Sequence, residues 1–162
     1  MTDLFAELIE AFPPRPLDPG LLADPIGIWT TYIHDQEFEA EIPGHTWNTL
    51  SPAFVEYHCD ALGWMTPGAF AAVLPAYLAS LLRGDTENEL PALVFLQLTR
   101  RPGWEEKFDT RVAELTGQQC MVTKDVLEAL AKGDRFSHYR TKIDAALASW
   151  QAVLAGSPGS PG

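Results

Sequence analysis

The side chains that could carry chemistry in this chain are few, and their spacing suits little of it. Four histidines occur, His34, His45, His58 and His138. Two ligands on one helix reach the same metal ion only when they stand three or four residues apart, and neither H-x-x-x-H nor H-E-x-x-H is present. His58, Cys59 and Asp60 are consecutive, so a helix would aim them in different directions. Glu56 and Asp60 do fall at i and i+4, which reads as two carboxylates on a solvated face. Cys59 and Cys120 lie in apolar helical stretches, where a free thiol is an inert core group. A Cys-His nucleophile pair would need contact between distant segments. The serine-hydrolase, P-loop and dinucleotide patterns G-x-S-x-G, G-x-x-x-x-G-K-[ST] and G-x-G-x-x-G are all missing. The sequence therefore predicts no metal, no cofactor and no catalytic residue. An enzyme reading would rest on His58 or His138 meeting a carboxylate through the fold.

Charge is the stronger signal. Lys and Arg total 11 against 22 Asp and Glu, a net charge of −11. Such a surface repels phosphate backbones and anionic membranes, and it steers basic proteins toward itself at low salt. Two runs concentrate the acid. "HDQEFEAEI" holds Asp35, Glu37, Glu39 and Glu41, and "GDTENE" holds Asp85, Glu87 and Glu89. Aromatic residues among charges are the composition of interface hot spots, so Phe38, Trp47 and Trp29 are candidate anchors beside the acids. The expected site is a contact surface for a basic protein partner, built from Asp35, Glu37, Phe38, Glu39, Glu41, Trp47, Glu87 and Glu89. A toxin neutralised by an inhibitor or immunity-type protein is the model for that partner. Two cysteines make no disulfide framework, and "MTDLFAELIEAF" carries acid where a secretory signal carries base, which together predict a cytoplasmic protein.

The elements that must position these residues read as helices. Leu4, Phe5, Leu8, Ile9 and Phe12 form an apolar stripe, capped by Thr2 or Asp3 and stopped by Pro13-Pro14. A helix is expected over Asp24 to Glu37, the segment after it allows a short hairpin near 38–47, and Pro43-Gly44 makes a turn. In "LSPAFVEYHCDALG", Ser51 caps, Pro52 opens and Gly63 closes a helix whose apolar face carries Phe54, Tyr57, His58, Ala61 and Leu62. Thr66, Pro67 and Gly84 repeat this grammar around Phe70, Leu74, Tyr77, Leu78, Leu81 and Leu82.

Pro75 stands inside that second helix. It lacks the N–H that would bond the Ala71 carbonyl and crowds it, at a cost of about 3 kcal/mol. Either the helix bends there, or it breaks and Pro75 starts a new one. Residues 63–82 carry no charge and are long enough for a bilayer, but their prolines, glycines and alanines point instead to the core helix of a water-soluble bundle. "NELPALVFLQLTR" is a buried helix rather than a strand. A helix follows at Trp104, Phe108, Val112 and Leu115, then a T-x-x-Q capping box at Thr116 and Gln119 opens another. The last carries Ile143, Ala146, Leu147, Trp150 and Leu154. The expected fold is all-α, a single-domain bundle of about six to eight helices over 1–155 with a Pro-kinked centre, followed by a flexible Gly/Ser/Pro tail at 156–162.

Several of these residues also form a pattern. Trp47 before a helix, the block Thr66, Pro67, Ala69, Phe70, Leu74, Pro75, Ala76, Tyr77, then Leu115, Thr116, Gln119 and a late Trp150, resemble a group of small uncharacterised bacterial proteins. That group shares a tpeaf-x-x-yLPAyl block and a later L-T-x-x-Q helix. Here Val73 replaces its bulky residue before the proline, and "PGH" replaces its acidic pair ahead of the tryptophan. The resemblance implies a bacterial origin and a helical fold, and it names no catalytic residue.

Overall fold

The computed structural model describes residues 3–17, 33–84 and 89–156, with the side chains of 33–36 left aside. Among these residues every regular element is helical: α1 (Leu4–Ala11), α2 (Ile33–Glu41), α3 (Pro52–Tyr57), α4 (Pro67–Arg83), α5 (Leu90–Gln97), α6 (Glu105–Ala113), α7 (Gly117–Lys132) and α8 (Arg140–Ala155). Short 3₁₀ turns lie at Trp47–Thr49, Ala61–Gly63 and Ser137–Tyr139.

The N-termini follow local chemistry. Asp3 accepts from the Phe5 amide at 3.0 Å, Ser51 from Phe54 at 3.1 Å and Thr66 from Ala69 at 3.2 Å. Thr116 and Gln119 close a reciprocal box, each side chain accepting from the other's amide. At the far end of α4, Gly84 takes φ of 73°, the left-handed geometry that glycine reaches without strain.

Helix α4 is the centre, packed against α1, α3, α6, α7 and two 3₁₀ turns. From Ala69 to Leu81 it is buried almost all round, with only Ala71 and Ala72 partly exposed. That is why its sequence is apolar on every face. No helix among the described residues is long and apolar enough to cross a membrane. The helix runs through Pro75 without a break. Ala71, whose carbonyl Pro75 leaves without its usual donor, lines an open groove where solvent reaches it.

The helix C-termini are handled differently. A helix leaves its last carbonyls without intrahelical donors, and at the ends of α1, α3 and α5 side chains from distant segments bond some of them. Trp47 Nε1 donates to Phe12 O at 2.7 Å and Gln119 Nε2 to Ala11 O at 3.0 Å, both at the end of α1. Tyr77 Oη donates to His58 O at 2.6 Å, at the end of α3. Trp150 Nε1 donates to Leu98 O at 2.9 Å, at the end of α5. Arg111 donates to the Leu62 and Gly63 carbonyls of the 3₁₀ turn, where Lys107 also bonds Gly63 O. The polar members of the sequence pattern are thus consumed in tying helix ends together.

Two expectations change. The hairpin near 38–47 does not form: α2 runs to Glu41, because Phe38 and Ile42, four residues apart, are both fully buried on one helical side. The turn at Pro43-Gly44 is present, with Gly44 at φ 83°. The helix begun at Ser51 stops at Tyr57 instead of reaching Gly63, since Tyr77, Lys107 and Arg111 bond carbonyls beyond it and stabilise a 3₁₀ corner. Most of the expected helix over Asp24 to Glu37, and the tail beyond Gly156, lie outside the described residues.

Candidate functional site

The acidic residues that sequence alone separates meet around the end of α3. Glu37 on α2 accepts from Tyr57 Oη at 3.0 Å. That contact raises the Tyr57 phenol above its ordinary pKa, first through the hydrogen bond and then through slight burial and the carboxylate's charge. Glu56 and Asp60 lie on either side of Tyr57 along the chain, and Glu89, just before α5, is near enough to Cys59 for its charge to act there. The Cys59 thiol senses all three. Burial pushes its pKa up first, then the charges of Asp60, Glu56 and Glu89 push it further. Such a thiol stays protonated and unreactive at neutral pH.

Tyr57 is 57% exposed, the aromatic residue that this face presents to solvent. Phe38 and Trp47, expected as anchors, are corrected: they are 0% and 5% exposed. Phe38 lies among Phe54, His58 and Trp64, with ring centroids 5.1, 5.0 and 5.8 Å away. Trp47 is held by its bond to Phe12 O. Their large apolar areas stabilise the core, and neither ring stands out from the surface as an anchor would. Glu41 and Glu89 are exposed and Glu39 is half-buried. Glu87, Trp29 and the side chain of Asp35 fall outside the described residues. Sequence reasoning put Tyr57 on the buried face because it assumed a longer helix. Tyr57 is the last residue of α3, and its hydroxyl reaches Glu37 of α2 at the surface. Glu56 and Asp60 were legible as solvated carboxylates, but not as neighbours of Glu37 and Glu89.

The histidines occupy unrelated places. His58 is 2% exposed among the rings of Phe38, Phe54 and Tyr57. His45 Nδ1 contacts Thr49 Oγ1 at 3.2 Å, and exposed His138 stacks on Tyr139 with centroids 4.0 Å apart. Among the described residues no three His, Cys, Asp or Glu side chains are placed to hold a metal ion. A groove of about 320 Å³ opens between the connector after α1, α4 and α7, with Arg15 and Glu114 on its walls. Trp47, Ala71, Thr116 and Gln119 also line it, and neither histidine nor cysteine contributes.

No family model, no curated protein and no solved structure matches the chain.

Proposed function

We propose that this chain is an acidic, non-catalytic binding protein that engages a basic protein partner, in the manner of an inhibitor or immunity-type protein neutralising a toxin. The observation that supports it most is exposed Tyr57, bonded to Glu37 of α2 and flanked along its own segment by Glu56 and Asp60, with Glu89 close enough to act on the adjoining Cys59 thiol. A tyrosine supplies contact area at little entropic cost, and carboxylates beside it attract and orient lysine and arginine. With a net charge of −11 the whole molecule adds to that steering. Among the described side chains, the histidines and thiols are buried, stacked or bonded within the fold, which favours recognition over catalysis.

Co-expression with the products of adjacent genes, followed by purification through this chain, is the test. The expected partner is basic, and association slows steeply with added salt because exposed charges are screened beyond about 8 Å at physiological ionic strength. The triple variant Glu37→Gln, Asp60→Asn, Glu89→Gln is expected to associate about tenfold more slowly at low salt. A captured partner that binds the triple variant and the native chain alike would remove the basis of this assignment.

A further inference from the structure

The surface changes sign where α7 meets α8. Lys132, Arg135, Arg140 and Lys142, four of the 11 Lys and Arg, fall within residues 132–142, together with His138. All five side chains are exposed. The acids of this stretch are Asp134 and, just beyond it, Asp144, so a chain of net charge −11 carries a locally positive corner. Arg100 and Lys124, by contrast, are neutralised in place, Arg100 by Asp109 at 2.9 Å and Lys124 by Asp125 at 2.8 Å. Among the described residues no carboxylate lies within 4.0 Å of Lys132, Arg135, Arg140 or Lys142.

Local structure accounts for only part of this cluster. Lys132 suits the last turn of α7, where a cation meets the negative end of the helix dipole. Arg140 and Lys142 do the reverse. They stand in the first turn of α8, which carries no acid although its positive end favours one. Arg140 recovers one bond, to Gly133 O at 3.3 Å. The same corner holds an open hollow of about 320 Å³. Leu82, Ala129, Leu130 and Phe136 supply its apolar walls, and Asp134 and Arg135 also line it. Arg135 lies across Gly84 at the end of α4, so close that a Cβ at Gly84 would meet its guanidinium.

We propose that this corner docks an acidic segment of another protein, with one aliphatic side chain in the hollow and carboxylates against Lys132, Arg135 and the first turn of α8. Exposed cations around an apolar hollow match a peptide that alternates acid with a single aliphatic residue. An extended phosphate array or an anionic membrane would also face the acidic remainder of the molecule, which repels it, whereas a short segment touches the corner alone. Two copies of a chain at −11 likewise repel each other. The proposal is independent of the face around Tyr57, which has the opposite charge.

The test is a titration of the full chain, followed by its backbone amide NMR resonances, with the blocked peptides EELEE, EESEE and QQLQQ. The expected result is a saturable shift at Gly133–Phe136 with EELEE, binding about tenfold weaker for EESEE, and no saturable shift with QQLQQ. The double variant Lys132→Gln, Arg135→Gln changes exposed side chains only and is expected to weaken EELEE about tenfold. Lys124→Gln, which removes a cation already paired on the same helix, is expected to leave that affinity unchanged. EELEE that moves nothing at Gly133–Phe136, QQLQQ that binds as tightly, or Lys124→Gln that weakens binding as much as the double variant would overturn the site. Displacement of EELEE by an oligothymidylate of equal length would overturn the choice of a protein segment. A native dimer in light scattering that the double variant dissolves would overturn it in favour of a second copy.

Discussion

Replacing Pro75 by alanine sets three effects against one another, and their sizes follow from where the ring lies. Pro75 sits in the middle of α4, buried, in a helix that continues for two turns beyond it. Alanine restores the amide that should bond Ala71 O and removes the clash with it, together worth about 3 kcal/mol in a helix interior. Against this, the buried ring loses two methylene-sized groups, about 0.8 kcal/mol each. The unfolded chain also gains freedom without proline, a further loss of about 0.4–1 kcal/mol. The balance is a stabilisation of about 0.5–1 kcal/mol. It falls in the lower half of that range because Ala71 is partly exposed on the open groove, where a restored backbone bond gains less than in a dry core. At this chain length the melting temperature is expected to rise by about 1–3 °C. Urea unfolding followed by circular dichroism should show a higher midpoint with an unchanged slope. A fall of about 5 °C or more would refute the reasoning. It would mean that the ring imposes a bend on α4 that α1, α3, α6 and α7 need for their packing.

Two further predictions concern polar groups. Tyr77→Phe and Ser80→Ala remove one buried hydroxyl each from α4, with opposite outcomes in the same unfolding assay. Tyr77 Oη bonds His58 O, which also accepts from the Ala61 amide at 3.0 Å, so its loss is expected to cost about 1 kcal/mol rather than the full penalty of an orphaned carbonyl. Ser80 Oγ is buried with no partner, and removing it is expected to leave stability unchanged or raise it by up to about 1 kcal/mol. The Arg100–Asp109 pair gives a pH signature. Hydrogen bonding from Arg100 holds the Asp109 carboxyl below its ordinary pKa. Its contribution is therefore complete above the ordinary aspartate range and is lost as pH falls through the lowered value. Asp109→Asn is expected to flatten that part of the acid limb of the stability profile and to change nothing further when pH drops below it.

Much of the helical layout was open to a reader of the sequence, because the signals for helix starts and apolar stripes act over a few residues. Ser51, Thr66 and Thr116 cap as their types and positions require, and Pro52 and Pro67 open helices where a missing amide costs nothing. The all-α class follows from the same periodicity. The site was only half legible. Its charge was visible in composition, but its aromatic member was misplaced. The choice between Tyr57 and Phe38 depends on how α2 packs against α3 and the corner after it, which no residue within either helix decides alone.

What the sequence determined by itself is which segments coil and which face of each is apolar, since both arise from steric and hydrogen-bonding preferences between near neighbours. What only the tertiary structure decided is how the helices end and which side chains remain outside. At the ends of three helices, carbonyls take donors from distant segments: Trp47 and Gln119 for α1, Tyr77 for α3, Trp150 for α5. Those bonds span between 19 and 108 positions along the chain. Their geometry exists only once the packed helices have brought the partners within reach.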